Sequence, residues 1–386
     1  MPALATKTYF NYGGQGPLPT PSLEAIVATW QRIQELGPFT EAVWPVLGGL
    51  TGSLRGRLAQ WFGVSPARVA LTENVTSGCV LPLWGLPWSE GEEILLGDGE
   101  HPGVVAACRE LARREGLTIA PLPVRDLPGD DDKVVAGTLE ALERALGPRT
   151  RLVVLSHLLW NTGRVLPIEA VARRLADHPL HPWLLVDAAQ SFGSVPMAGA
   201  AQAADIYAAT GHKWCCGPEG LGAVALSERL LEQARPTLIG WRSLQDESSG
   251  GGAYHRDARR FEVATSCTPL QAGLETSLRL LEAEGDETAR LAVIRARSHQ
   301  LWEGLQALPS ARCLLPVPPP AGLVSFQLHR PDGSAIEPAA VVRALGQQGI
   351  WLRSLPDPLC LRACTHLSTE PEEVDRLLTA LAAITG

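Results

Sequence analysis

Short apolar runs that alternate with stretches of helical periodicity constrain the fold of this chain more than any other feature. The seven runs lie at 69–71, 94–96, 117–122, 152–155, 184–186, 206–209 and 221–226. Strands that are apolar throughout and are separated by helices indicate a mostly parallel sheet covered on both faces. The sequence therefore predicts an α/β domain with a seven-stranded sheet, and ligands bind beyond the carboxyl ends of the strands in such sheets.

The pattern changes near residue 274. We expect long helices at 278–284 and 289–308, strands near 323–328, 350–353 and 359–363, and further helices at 338–345 and after 370. These elements form a smaller α+β unit. The expected organisation is an N-terminal segment (1–15) that packs on the small domain, a large domain (16–273) and a small C-terminal domain (274–386). A first helix is predicted between Thr20 and Gly37. Its expected apolar face is Leu23, Ile26, Val27, Trp30 and Ile33.

Charge and composition argue against several classes of protein. The 33 Lys and Arg against 41 Asp and Glu give a net charge of −8, without a basic block, so no nucleic-acid partner is expected. No apolar run is long enough to span a membrane, and the start lacks the pattern of a signal peptide. The eight scattered cysteines include no CxxC pair, so we expect reduced thiols, no metal site and a cytoplasmic protein.

Two neighbouring predicted strands deliver the side chains with the clearest chemistry. Asp187 ends the run at 184–186, and Gln190 follows within one helical turn. The run at 206–209 leads into Thr210-Gly-His212-Lys213 and then into a glycine-rich turn. A lysine with a lowered pKa can bond an aldehyde cofactor, and a carboxylate can hold a pyridine nitrogen protonated. Taken singly, Asp187 is more simply explained as a helix cap and Lys213 as a solvated loop lysine. These explanations are weaker here because both residues follow apolar strands and glycines lie beside the lysine.

These residues carry a resemblance to a known family. The motif D-x-x-Q…(S/T)-G-H-K…G-P-x-G-x-G resembles the class V branch of the fold-type I pyridoxal-phosphate (PLP) enzymes, which includes cysteine desulfurases and selenocysteine lyases. The likeness extends over nearly the whole chain. Within that group the sequence looks most like the cystine/cysteine C–S lyases, on the segments YFNYGGQGPLP, SHLLWNTGRVLP and LIGWRSL.

The resemblance implies roles at the cofactor ring. Lys213 forms the Schiff base, Asp187 pairs with the ring nitrogen, and Gln190 binds the phenolic oxygen. His101, in EHPGVV, is implied to stack on the ring and to act in catalysis. The alternative for His101 is a helix-capping residue before Pro102.

The resemblance also implies a phosphate site and a shared active site. Thr76 and Ser77, in ENVTSGC, lie where a phosphate-binding helix N-terminus is expected, although an ordinary helix cap explains them equally. Thr210 and His212 flank the lysine and complete the site. Thr265, in RFEVAT, is implied to reach the cofactor of the neighbouring subunit, which makes the enzyme a homodimer with shared active sites.

Four further residues are candidates on the substrate side. Arg362, in CLRACTHLS, is implied to bind the substrate carboxylate, and Arg353 is a second contact unless it is a surface arginine. Asn161 is expected near the cofactor, with turn chemistry as the alternative. Trp241 is expected to line the pocket from the partner subunit, with ordinary packing as the alternative.

One departure from the relatives decides between two reactions. Cysteine desulfurases carry a catalytic cysteine on a loop before the carboxylate-binding arginine, in an R-x-G-x-x-C context. Here the corresponding stretch from Arg353 is short, lacks the glycine, and places Cys360 in an apolar strand pattern, which favours a buried thiol. We therefore expect β-elimination of cystine, and less well of cysteine, to pyruvate, ammonia and a persulfide or sulfide. Lys213 would remove the Cα proton.

Alternative functions remain open at this point. The nearest is a desulfurase or selenocysteine lyase that yields alanine, and class V epimerases and aminotransferases are others. An NAD-dependent dehydrogenase would need a GxGxxG motif that we do not find, and a non-catalytic binding protein would need neither Lys213 nor Asp187. The resemblance also connects such a lyase with sulfur supply for iron–sulfur clusters.

Overall fold

The computed structural model describes residues 1–248 and 250–385, which form the following elements. The strands are β1 (Thr8–Tyr9), β2 (Val69–Thr72), β3 (Glu93–Gly97), β4 (Thr118–Leu122), β5 (Thr150–Ser156), β6 (Trp183–Asp187), β7 (Ile206–Thr210), β8 (Gly222–Leu226), β9 (Ala311–Cys313), β10 (Leu323–Leu328), β11 (Ile350–Trp351), β12 (Arg353–Pro356) and β13 (Leu359–Cys364). The α-helices are α1 (Thr20–Leu36), α2 (Val43–Phe62), α3 (Val75–Leu83), α4 (Pro102–Glu115), α5 (Asp131–Ala145), α6 (Ile168–Ala176), α7 (Ala198–Ala203), α8 (Glu228–Gln233), α9 (Thr268–Ala283), α10 (Glu287–Gln306), α11 (Pro338–Gln347) and α12 (Pro371–Thr385).

The large sheet contains all seven predicted strands, in the order β2-β8-β7-β6-β5-β3-β4. Only β8 runs antiparallel to its neighbours, β2 and β7, and the other pairings are parallel. Every residue of β6, β7 and β8 is buried, as expected of strands covered on both faces.

Helices cover both faces of this sheet, and successive residues of a strand pack on opposite sides. Val153 and Leu155 of β5 join one core, with α2, α5, α6, α7 and α9. Leu152 and Val154 join the other, with α3, α4 and α8. This alternation follows from the two-residue period of a strand and explains why residues 152–155 of β5 are all apolar.

The small domain is built on an antiparallel sheet of order β12-β13-β10-β9. The N-terminal segment joins this domain because β1 pairs in parallel with β11. The single strand expected at 350–353 is two strands, since β11 pairs with β1 whereas β12 pairs with β13.

The expected domain boundary at 273/274 falls inside α9. Leu274, Leu278 and Leu281 of this helix are buried in the core of the large sheet. We therefore propose that the large domain continues to the end of α9 and that the small domain begins at α10.

Helix α1 begins at Thr20 and is followed by Gly37, as the sequence predicts. Ile26 and Ile33 are buried, whereas Leu23, Val27 and Trp30 are 47–48% exposed. The apolar face is therefore only partly covered by the rest of the chain. None of the helices in the described part of the chain combines the length and apolar character required to cross a bilayer.

Candidate active site

The site lies at the carboxyl ends of the central parallel strands. Ser156 ends β5 and Asp187 ends β6, and the two are register partners. Thr210 ends β7, the next strand of the sheet. A cavity of about 40 Å³ lies beyond these ends. It is lined by Val75, Thr76, His101, Ser156, Leu158, Trp160, Asp187, Ala189, Gln190 and Lys213. Five of the residues expected from the sequence thus meet at the edge where ligands bind in open α/β sheets, namely Thr76, His101, Asp187, Gln190 and Lys213.

Lys213 provides an amine that is easily deprotonated. Burial lowers the pKa of Lys213 to about 8, and the positive charges of Arg362 and Arg353 lower it further, against the opposing effect of Asp187. A substantial neutral fraction at ordinary pH suits a lysine that bonds an aldehyde or takes up a proton.

Asp187 is 4% exposed and has one carboxylate oxygen available. Its Oδ1 accepts the backbone N–H of Ala189 at 2.8 Å. Its Oδ2 accepts no hydrogen bond from residues 1–248 or 250–385. A buried carboxylate with a free oxygen fits a protonated ring nitrogen, because a buried charge requires a partner of opposite sign.

Gln190 is held in one orientation by two hydrogen bonds. Trp214 Nε1 donates to Gln190 Oε1 at 2.9 Å, and Gln190 Nε2 donates to the Gly13 carbonyl at 2.9 Å. The amide nitrogen retains a second hydrogen for another acceptor. This arrangement is compatible with the expected contact to a phenolic oxygen.

His101 both caps a helix and lines the cavity. Its Nδ1 accepts the N–H of Gly103 at the start of α4, at 3.2 Å, so the neutral ring carries its proton on Nε2. The ring lies edge-on to Trp160, with centroids 5.6 Å apart. Desolvation, followed by the charge of Lys213, lowers the pKa of His101. The capping interpretation is therefore confirmed, and His101 also lines the Lys213 cavity.

The expected phosphate-binding residues lie at the N-terminus of α3. Asn74 caps this helix by accepting the N–H of Ser77 at 3.0 Å, while Thr76 is exposed and lines the cavity. Thr76 and Ser77 also line a larger neighbouring cavity of about 540 Å³. Helix N-terminal amides and a free hydroxyl suit a phosphate group. The Thr210 hydroxyl and His212 Nδ1 are 2.8 Å apart and bind each other.

Arg362 is the most buried cation of the site. It is 1% exposed, and its guanidinium donates to the Trp160 carbonyl at 2.9 Å and to Asn11 Oδ1 at 3.3 Å, whereas Nε has no partner among the described residues. Arg353 is its cross-strand partner on β12 and is exposed. Like charges on paired residues are unfavourable unless an anion compensates them, and a carboxylate suits an arginine guanidinium.

Eight of the thirteen predicted site residues do not line the Lys213 cavity, namely Ser77, Asn161, Thr210, His212, Trp241, Thr265, Arg353 and Arg362. The Oδ1 of Asn161 accepts the N–H of Thr162 at 2.9 Å, which supports the turn-chemistry alternative for this side chain. Trp241 lines a separate surface cavity with Trp44. Thr265 is exposed and lines the 540 Å³ cavity. The roles of Trp241 and Thr265 in a partner subunit's site stay predictions.

Sequence reasoning missed the contribution of the N-terminal segment. Asn11 contacts Arg362, and Gly13 contacts Gln190. A Cβ atom at Gly13 would lie 2.7 Å from Gln190 Oε1 and 3.0 Å from Cys364 Sγ, so the glycine permits the close approach. The motif YFNYGGQGPLP was the available signal, but nothing local to it indicates which distant side chains it meets.

Comparisons with known proteins agree with this geometry. The family described as Aminotransferase class-V matches residues 50–377. A solved structure of a cystine C–S lyase with its reaction product cysteine persulfide is 44% identical, covers 99% of this chain and 98% of its own, and has a TM-score of 0.93. A variant of that lyase carries glycine covalently linked to the PLP cofactor, with 43% identity, coverage of 99% and 97%, and a TM-score of 0.93.

Two curated relatives carry other names. Isopenicillin N epimerase of Streptomyces clavuligerus is 31% identical over 99% of this chain and 96% of its own. A probable cysteine desulfurase of Pseudomonas aeruginosa is 29% identical over 85% of this chain and 80% of its own. The family match and the similarity to PLP-bearing structures confirm the fold class and the cofactor expected from Lys213 and Asp187. The chain belongs to the aminotransferase class-V family of fold-type I PLP-dependent enzymes.

Proposed function

We propose that this enzyme is a C–S lyase that cleaves cystine, and cysteine less well, to pyruvate, ammonia and a persulfide or sulfide. The 44% identity to a cystine C–S lyase supports this choice. The observation that carries it is the form of the β12–β13 hairpin, which bears no accessible thiol.

This hairpin turns at Asp357 and Pro358, directly between β12 and β13. Cys360, the nearest cysteine after the turn, is 0% exposed, and burial raises the pKa of its thiol to about 11. Cys364 at the end of β13 is also 0% exposed, and burial raises the pKa of its thiol. A sulfur carrier must present an accessible thiolate, so these residues do not suit a desulfurase.

The residues of the site can perform an elimination. When bound, PLP supplies the electron sink that stabilises negative charge at the substrate Cα. Arg362 and Arg353 hold the substrate carboxylate, and Asp187 keeps the proton on the cofactor's ring nitrogen. The Lys213 amine, with its lowered pKa, takes up the Cα proton. Cystine is preferred over cysteine because a persulfide is a better leaving group than a thiolate.

Product analysis tests the reaction. Purified enzyme is supplied with cystine, and pyruvate, alanine and the stereochemistry of recovered substrate are measured over the same time course. We expect stoichiometric pyruvate and ammonia. Alanine as the main product would establish a desulfurase instead, and inversion at Cα without pyruvate would establish an epimerase. Transfer of the persulfide sulfur to iron–sulfur clusters is part of the proposal and is tested by cluster absorbance with iron and an apo-ferredoxin.

We further propose a homodimer with shared active sites. Exposed apolar side chains support it, since Trp30 is 48% exposed, Trp44 57% and Phe39 88%. Patches of this kind mark association surfaces. Sedimentation should give twice the 41.2 kDa mass of the chain. Lys213→Ala protomers are then mixed with Thr265→Ala protomers. The mixed dimer holds one site with both Lys213 and Thr265, so PLP occupancy per intact lysine should be higher than in the Thr265→Ala homodimer. An unchanged occupancy would contradict shared active sites.

A further inference from the structure

A buried carboxyl group lies beside the site and has no part in the mechanism above. Glu100 follows β3 and is 6% exposed. Both carboxyl oxygens contact Ser156, whose N–H donates to Oε1 at 2.7 Å and whose Oγ lies 2.8 Å from Oε2. Ser156 is in turn the register partner of Asp187. Because β5 lies between β3 and β6 in the sheet, Ser156 separates two buried carboxyl groups.

We propose that Glu100 is a positioning residue whose neutral, protonated carboxyl group fixes Ser156 and leaves the negative charge of the site on Asp187. The geometry supports the neutral form. No cation forms an ion pair with Glu100 among the described residues, and a second carboxylate close to a first is disfavoured in a buried environment. The protonated oxygen donates to Ser156 Oγ while the other oxygen accepts the Ser156 N–H. The serine hydroxyl hydrogen is then free to point into the cavity that Ser156 lines.

The burial of Glu100 and the carboxylates near it also favour its neutral form. Burial, followed by the charge of Asp187, raises the pKa of Glu100 to about 8, with a smaller effect from Asp98 and opposing hydrogen bonds from Ser156. Cys79 of α3 and Cys108 of α4 also face it, and burial raises the pKa of both thiols, so neither adds charge at neutral pH. The inference depends on the cofactor chemistry of the family and not on the identity of the sulfur substrate.

The first test measures unfolding of the cofactor-free full-length protein between pH 4 and pH 9. A carboxyl group whose pKa is raised on folding stabilises the protein fully below its unfolded pKa, and this stability is lost as pH rises toward the folded pKa. Relative to Glu100→Gln, the unfolding constant of the unmodified protein should therefore increase about tenfold per pH unit between roughly pH 4.5 and pH 8. Glu115→Gln, an exposed change at the end of α4, is the matched control and should show no such slope. A flat ratio for Glu100→Gln would overturn the inference.

The second test uses the PLP-loaded enzyme at pH 6.5. An amide reproduces both contacts with Ser156, so Glu100→Gln should keep the cofactor absorption band, whereas Glu100→Ala should shift or weaken it. A shifted absorption band in Glu100→Gln would mean that the replacement had removed a negative charge, and it would contradict the proposal. If the variant does not fold, the infrared band of a protonated carboxyl group in the unmodified protein decides the question. It should persist at pH 7 and disappear above about pH 8, and its absence at pH 7 would contradict the proposal. Neither test uses a sulfur substrate, so its failure is distinct from failure of the lyase assignment.

Discussion

The pH dependence of cofactor capture should report the unusual amine of Lys213. Burial and two arginines lower the pKa of Lys213 to about 8. At pH 7 about one amine in ten is then neutral, against about one in 3,000 for an ordinary lysine, so the reactive fraction is about 300-fold larger. The rate of Schiff-base formation should rise with pH, reach half its maximum near pH 8 and become constant above it.

The assay mixes cofactor-free enzyme with PLP in a stopped-flow instrument and follows the near-visible absorbance between pH 6 and pH 11. A free lysine derivative measured in parallel corrects for ionisation of PLP itself. The chain contains only three lysines, so the control is simple. Replacement of the exposed Lys7 and Lys133 by arginine should leave the profile unchanged, and Lys213→Ala should abolish the signal. A rate that still rises above pH 10 would refute the argument from burial.

Three further predictions concern other parts of the site. Arg362→Gln should raise the KM for cystine by about 30-fold or more, because a buried guanidinium makes strong charge-assisted bonds to carboxylates, and an unchanged KM would contradict its role. Cys360→Ser should leave the rate of pyruvate formation within about twofold of the unmodified enzyme, since structural buried thiols are unreactive. A large loss of this rate would favour the desulfurase alternative. Gly13→Ala should weaken PLP binding by about tenfold because its Cβ would lie 2.7 Å from Gln190 Oε1. Gly147→Ala is the matched control, with its nearest atom at 3.9 Å, and equal PLP affinity in the two variants would exclude the steric argument.

Local sequence patterns were sufficient to predict the large sheet. The seven apolar runs correspond to β2 through β8. The inner strands are apolar because they are buried on both faces, whereas the edge strand β4 is partly exposed. The positions of Asp187 and Lys213 were also predictable. Each follows directly from such a strand, and the carboxyl ends of parallel strands lie at a common edge.

The sequence did not distinguish apolar side chains that are buried in the core from apolar side chains that remain exposed. The first helix was predicted with one apolar face, yet Leu23, Val27 and Trp30 remain exposed on it. Helix α9 likewise continues the large-domain core beyond the expected boundary. Periodicity identifies an apolar face but does not identify the surface that the face contacts.

The tertiary structure alone decided how distant segments complete the site. Asn11 contacts Arg362 and Gly13 contacts Gln190, although these partners are separated by 351 and 177 residues. Glu100 binds Ser156 of β5, which is the register partner of Asp187 on β6. Arg353 on β12 is the cross-strand partner of Arg362 on β13. Strand length, periodicity and strand ends are local properties that a sequence records directly. Contacts between chain ends depend on how whole elements pack, and no local pattern specifies them.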